Sequence, residues 1–167
     1  MAIYRVKQFI WAVTARFKPV DYKLVHKYLN KKEENLFNTL SVSERQHSIR
    51  VCNEALNRYE DNKLDINKDK LARIALLHDI GKGNKTLNVI DKSILVILDK
   101  VTKGKLRNYD SNKKVDIYYN HPKKSVKLLN EIDKYDSEFL EAIEKHHYKR
   151  LNSNIYLKII KESDDNS

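Results

Sequence analysis

The sequence is short of the residues that break or staple a chain. Among 167 residues there are three glycines, two prolines and one cysteine. Scarce glycine and proline, set against abundant Leu, Ile, Lys, Glu and Asn, argue for helices rather than a turn-rich β architecture. A lone cysteine, Cys52, excludes an internal disulfide and fits a reducing compartment. It falls among apolar helix positions, where a thiol packs as a small hydrophobe. No apolar run is long enough to span a bilayer. Residues 1–18 are apolar in part, but Arg5, Lys7 and Arg16 interrupt them, and they lack the h-region and cleavage site of a signal peptide. These absences point to a cytoplasmic protein. An arginine-rich block and an aromatic-interleaved repeat are also missing, so a dedicated nucleic-acid module has weak support.

What is present is positive charge and helical periodicity. Thirty-three basic residues against 23 acidic ones give a formal charge of +10, a field that favours anionic partners without choosing among nucleotides, nucleic acid and anionic lipid. The length suits one domain with a genuine core, and no repeat or linker divides it. Ile3, Phe9, Ile10, Val13 and Phe17 gather on one side of an amphipathic N-terminal helix. Such a helix packs on its own domain or on a partner subunit, or lies on a membrane. Pro19 breaks it, and short helices follow over 22–29 and up to about residue 39. Ser41 and Glu44 have capping-box spacing and predict a helix start. Val51, Cys52, Ala55, Leu56 and Tyr59 then face inward, with His47 in the second turn. A further helix spans about 68–80, and Gly81 suits the left-handed position beyond its end. Leu87, Ile90, Ile94, Ile97, Leu98 and Val101 form another amphipathic stretch. Residues 104–113 read as a polar mobile loop. Pro122 opens a helix at its first position, which places His121 at the N-cap, and helices near 136–148 and 155–162 complete an all-α domain of about eight to ten helices.

The most informative segment is Ala75-Leu76-Leu77-His78-Asp79-Ile80-Gly81-Lys82. An apolar helical run delivers an imidazole and a carboxylate side by side, and a buried carboxylate is costly unless it is paired or holds a metal. His47 lies at the edge of an inward face. His121 sits where Asn, Asp or Ser is the usual cap. His146 follows Phe139, Ala142 and Ile143 on an apolar stripe, with His147 beside it. Asp164 follows Ile160 in line with the buried face of the last helix. His26, in a Lys- and Tyr-rich helix, reads as a surface residue. Imidazole nitrogens and carboxylate oxygens suit zinc, iron, manganese or nickel better than calcium or magnesium.

The order His47, His78-Asp79 and Asp164 resembles the HD-domain superfamily of metal-dependent phosphohydrolases. The block His78-Asp79-Ile80-Gly81-Lys82, with Asn120-His121-Pro122 and Lys145-His146-His147 downstream, is similar to its HDIG branch, which includes cyclic-dinucleotide phosphodiesterases and related nucleotide hydrolases. The likeness covers about residues 41–165, and the preceding helices resemble the extension of small stand-alone bacterial members. The resemblance implies a compact helical bundle over 41–167 with a short helical extension over 1–40. It implies that His47, His78, Asp79 and Asp164 hold one metal. Asp79 would bridge to a second ion held by His121 and His146, so that one or two divalent transition metals serve as cofactor. Lys82 matches the basic residue that meets substrate phosphate. Nothing after His147 resembles the Gly-Tyr-Pro motif of the HD-GYP subgroup; Tyr148-Lys149-Arg150 stands there, so the likeness does not extend to cyclic di-GMP as substrate.

The activity expected is hydrolysis of a phosphomonoester or phosphodiester in a nucleotide or related phosphorylated molecule. Bound metal lowers the pKa of a coordinated water, and Asp79 and Lys82 complete the charge arrangement around phosphorus. Arg50, one turn after His47, adds a candidate phosphate contact, and His147 is a candidate proton donor to the leaving group. Two other readings stay open at this stage: a di-iron oxygenase using the same ligands, and a non-catalytic nucleotide- or protein-binding module. An oligomer is compatible with the sequence.

Overall fold

The structure, a computed structural model, describes residues 19–83, 89–109, 111–148 and 153–167, without the side chains of 89–93 and Arg107. The N-terminal amphipathic segment, Leu87 and the basic pair Lys149-Arg150 lie outside the described residues, as does the side chain of Ile90. Eight α-helices are present among the described residues: α1 (Tyr22–Tyr28), α2 (Lys31–Asn38), α3 (Val42–Asp61), α4 (Lys68–Leu77), α5 (Val89–Val101), α6 (Lys113–Ile132), α7 (Ser137–Lys145) and α8 (Ile155–Asp165). Two 3₁₀ turns, Ile80–Lys82 and Lys105–Tyr109, follow α4 and α5. The all-α bundle expected from composition is what forms.

Side chains stop the helices at their N-termini. Asp21, Asn30, Ser41, Asn67, Asn112, Asp136 and Asn154 each accept a hydrogen bond from a first-turn N–H, which satisfies one of the donors a helix start leaves unpaired. The full capping box belongs to Asn30 and Glu33. Glu44 donates its backbone N–H to Ser41 at 3.3 Å, while its carboxylate reaches Lys82.

The core is one cluster in which Leu71, Ile74, Leu76 and Leu77 of α4 meet Val51, Cys52 and Ala55 of α3 and Leu157 and Ile160 of α8. Helices α1 and α2 join the same cluster through Val25 and Phe37. A buried polar knot reinforces that contact. Glu33, with no exposed surface, accepts hydrogen bonds from the Arg73 guanidinium at 2.6 Å, the Tyr135 hydroxyl at 3.0 Å and the Asn30 N–H at 2.9 Å. Every lone pair direction of a buried carboxylate that is satisfied removes part of its desolvation cost.

Three local expectations are corrected. Pro122 does not open a helix: α6 begins nine residues earlier at Lys113 under its Asn112 cap, and Pro122 and His121 lie inside it. Burial of Val115 and Ile117 on one side and of His121, Pro122 and Ser125 on the other outweighs the one backbone hydrogen bond that proline removes. Gly81 is not in the left-handed region; Gly83 is, at φ 57°. Gly81 is required for a different reason. A Cβ there would lie 2.1 Å from the His121 carbonyl oxygen and 2.6 Å from the Ser125 nitrogen, so the turn after α4 touches α6 backbone to backbone. Residues 104–113 are not simply a loop: Gly104, at φ 85°, turns the chain into the 3₁₀ segment, and Leu106 is buried against Leu95, Val115 and Ile117 in a small satellite cluster.

Candidate metal centre

The cluster is assembled from five helices or helix ends. His47 projects from the second turn of α3. His78 stands at the C-terminal cap of α4 and Asp79 directly after it. His121 comes from the middle of α6, His146 from the cap of α7 and Asp164 from the last turn of α8. All six expected donors are brought together. His78 and Asp79 are 0% and 1% exposed, while the side chains of His47 and Asp164 retain 18% and 14%, so the site opens on their side.

Asp79 sits at the centre and faces two ways. Its Oδ2 lies 3.3 Å from His78 Nε2 and 3.7 Å from His47 Nε2. Its Oδ1 lies 3.2 Å from His121 Nε2 and 3.8 Å from His146 Nε2. Asp164 Oδ1 closes the first group, 2.9 Å from His47 Nε2 and 3.8 Å from His78 Nε2. One carboxylate therefore touches two sets of imidazoles with its two oxygens.

The helices fix which nitrogen each ring presents. His78 Nδ1 donates to the Ala75 carbonyl at 2.8 Å, His121 Nδ1 to Ile117 at 2.8 Å and His146 Nδ1 to Ile143 at 2.6 Å. With a proton held at Nδ1, Nε2 is the nitrogen each ring presents to the centre, the arrangement that orients ligating histidines. His78 Nε2, His146 Nε2 and Asp79 Oδ1 are buried without a hydrogen-bond partner. Orphaned buried acceptors are rare and costly, and three converging on one point fit a cation. Nitrogen and carboxylate donors of this kind fit a divalent transition metal, and donor atoms of His47, His78 and Asp79, and of Asp79, His121, His146 and His147, come within 4.8 Å of one another.

The titration behaviour agrees with that geometry. Burial would raise Asp79, but the charges of His78 and Lys82 and the His121 contact outweigh it and hold the carboxyl well below its usual range. Burial would raise Asp164 as well, but the His47 contact and the charges of His47 and His78 outweigh it and hold this carboxyl well below its usual range too. His146 is held well below the ordinary imidazole value by burial and by the His147 and His78 rings. His78 goes the other way, up to about 8, because Asp79 and Asp164 outweigh its burial. The site thus keeps its carboxylates ionised.

Four side chains beside the six donors matter. His147 Nε2 lies 3.1 Å from His121 Nε2, and its Nδ1 is 3.7 Å from Asp164 Oδ2. Loss of water and the His121 ring push its pKa below the ordinary value against the pull of Asp164. Lys82 folds back so that its ammonium meets Asp79 Oδ2 and lies 3.3 Å from Glu44 Oε2. Glu44, 2% exposed, was invisible as a site residue because its spacing from Ser41 had a sufficient local explanation. Ser125 is the fourth. Its hydroxyl accepts from the Gly81 N–H at 2.9 Å and lies 3.0 Å from the carbonyl oxygens of both His78 and His121. Its sole sequence signal was its place four residues after His121. Arg50 stands half-buried one turn beyond His47, and His26 is on the surface as expected, paired to Glu34 at 2.9 Å.

An all-α bundle that gathers four histidines around Asp79, with Asp164 beside them, is a helical domain whose buried cluster fits a divalent metal. Residues 45–166 match the family model of the HD domain, and the chain belongs to that family. No curated protein and no solved structure matches it.

Proposed function

We propose that the protein is a metal-dependent phosphohydrolase of the HDIG type that acts on a nucleotide or related phosphorylated molecule. Family membership supports the reaction class. The observation that carries the reading is the two-faced contact of Asp79, with Oδ2 toward His47 and His78 and Oδ1 toward His121 and His146. On this reading His47, His78, Asp79 and Asp164 hold one divalent transition metal ion, and Asp79, His121 and His146 hold a second. His147 stands beside that second group, its Nε2 3.1 Å from His121 Nε2 and its side chain 46% exposed, a candidate fourth donor there as well as the candidate proton donor to the leaving group. Residues 41–167 form the metal-binding unit, and of the expected extension over 1–40 the described part, residues 19–40, packs against it.

Metal bound there supplies Lewis acidity at phosphoryl oxygens and a water acidified toward neutrality. The chain itself supplies orientation. Ser125 ties the His78 and His121 backbones together, and the Nδ1 anchors stop the rings from rotating. Lys82 carries a buried positive charge at the rim of the cluster, suited to a phosphoryl oxygen as a point charge. Its two carboxylate partners hold its pKa above the usual lysine range although burial opposes this, so the charge persists at any working pH. Arg50 lies on the same helix as His47 and is the second candidate for phosphate contact.

The test is a screen of purified, metal-replete protein for phosphate or mononucleotide release from nucleotides, linear dinucleotides and cyclic dinucleotides, with elemental analysis of the same preparation. Turnover that disappears with chelator and returns with a transition metal is expected. Full metal loading with oxygen consumption and no phosphoester turnover would replace this reading by the di-iron oxygenase.

A further inference from the structure

From the α5 face and its surroundings we infer that this protein docks on an anionic membrane surface, through a patch outside the metal cluster. Ile94, Leu98 and Val101, with Ile97 beside them, recur at the spacing of one helix face, and all four are exposed, Ile97 by 58% and Val101 by 73%. Tyr109, 65% exposed, adds to the same neighbourhood across a groove of about 610 Å³ walled by Leu95, Leu98, Leu106 and Val115. A soluble protein seldom leaves so many large aliphatic side chains together in water without a partner.

Charge chooses the partner. Lys100, Lys103, Lys105 and Lys113 are exposed around this face. Over residues 94–114 the sequence carries six basic residues against two acidic ones, Asp99 and Asp110, and Asp99 accepts a hydrogen bond from the Tyr119 hydroxyl. An aliphatic face with a lysine rim complements acidic headgroups over acyl chains: the lysine stems lie along the apolar layer and the ammonium groups stay at the phosphates. The net charge of +10 acts in the same direction at longer range. The same rim argues against the other occupants. A second copy would set lysines against lysines. Residues 1–18 contain Arg5, Lys7, Arg16 and Lys18 and no acidic residue, so they would meet like charge. Nucleic acid needs several open stacking rings, and among the described residues of this patch Tyr109 is the exposed one, Tyr118 and Tyr119 being partly buried. A folded acidic protein would need a pocket for each protruding side chain, whereas fluid acyl chains accept them without matching shape.

The placement links the two parts of the molecule. Val115 and Ile117, which back the patch, stand six and four residues ahead of His121 on α6. The rise of a helix puts these two residues, on which α5 rests, about 9 and 6 Å from that histidine along the axis. The helix that backs the patch therefore also carries one of the six donors.

The experiment is flotation of the full-length, metal-replete protein with vesicles of phosphatidylcholine alone and with about a third of phosphatidylserine. Binding to the anionic vesicles is expected to exceed that to the neutral ones by at least tenfold and to fall with added salt. The variants Ile97→Asp/Val101→Asp and Lys100→Glu/Lys105→Glu change exposed side chains, so they are expected to keep the far-ultraviolet helical signal and metal content and to lose vesicle binding. Any of the following overturns the proposal: no preference for anionic vesicles; binding retained in both variants and lost in Arg5→Glu/Lys7→Glu; or a wild-type dimer by light scattering that Ile97→Asp/Val101→Asp makes monomeric while vesicle binding is absent.

Discussion

The two ends of α6 keep different company. From His121 onward the helix touches the turn after α4 so closely that Gly81 has no room for a side chain, and Ser125 bonds to both. Ahead of His121, Val115 and Ile117 meet a small cluster with Leu95 and Leu106, and the outer face of α5 is left in water. At the first end a buried charge is surrounded by groups whose positions are fixed by several contacts at once. At the second end few contacts decide each position. Chemistry that needs atoms held to a fraction of an ångström belongs at the first, and the exposed second end is where a partner can be met without disturbing it.

The sharpest way to break the first region is at its centre. Asp79→Asn keeps the shape but removes the charge that faces both imidazole sets, and bound transition metal is expected to fall by about a hundredfold or more in affinity, read by elemental analysis after purification without chelator. Wild-type loading would mean that the ion, if any, sits elsewhere. Gly81→Ala comes next. It drives a methyl into the α6 backbone and is expected to cost about 3 kcal/mol in denaturant unfolding. Gly104→Ala, beside the α5 unit and with nothing within 4 Å of its added Cβ, is expected to cost about 1 kcal/mol from its positive φ alone. Equal costs would erase the difference between the two regions.

Lys82→Ala tests function at the edge of the centre. Metal content is expected to stay intact while turnover of a phosphorylated substrate drops about a hundredfold, or roughly 3 kcal/mol of transition-state stabilisation. Glu44→Gln, which frees the ammonium from one of its two carboxylates, is expected to lower turnover by less. Unchanged kinetics in Lys82→Ala would remove phosphate contact from its role.

Asp136 offers a gentler probe of α7, the helix that ends in His146. Burial opposes the lowering of its pKa, but Lys70, 2.8 Å away, and the Phe139 N–H outweigh it. Because the folded value is depressed, its stabilisation is present above the ordinary carboxylate value of 3.8 and is lost as pH falls through the lower folded value. Asp136→Ala is expected to cost about 1 kcal/mol near neutrality, and the gap from wild type should close in acid. A gap that persists unchanged in acid would trace it to something other than this charge. The smallest effect concerns Cys52, whose thiol burial pushes up to about 12. A thiol reagent is expected to leave it untouched in the native protein and to titrate it fully after denaturation.

Much of this was legible because it depends on short-range pattern. The helical spacing of Leu71, Ile74 and Leu77, the adjacency of His78 and Asp79, and the alignment of His146 and Asp164 with apolar stripes all follow from 3.6-residue periodicity. What was not legible depends on what another helix does. Pro122 looks like a helix start until Val115 and Ile117 are seen to be buried ahead of it. Gly81 looks like a helix stop until α6 arrives against it. Glu44 and Ser125 had ordinary local roles, and their distant partners, Lys82 and the carbonyls of His78 and His121, appear only once the chain is folded. The amphipathic period of α5 was visible, but periodicity alone does not say whether an apolar face will find a cover.

The cluster draws on helices from one end of the family-matched region to the other. No stretch of unfolded chain holds the same atoms together, so an ion held there would be bound by the native state alone. By mass action such an ion lowers the free energy of the fold in proportion to the logarithm of its concentration, by about 4 kcal/mol when it is a thousandfold above its dissociation constant. Ambient metal would then act as a thermostat for the lifetime of the whole bundle, and release of the ion would serve as a clock for its unfolding.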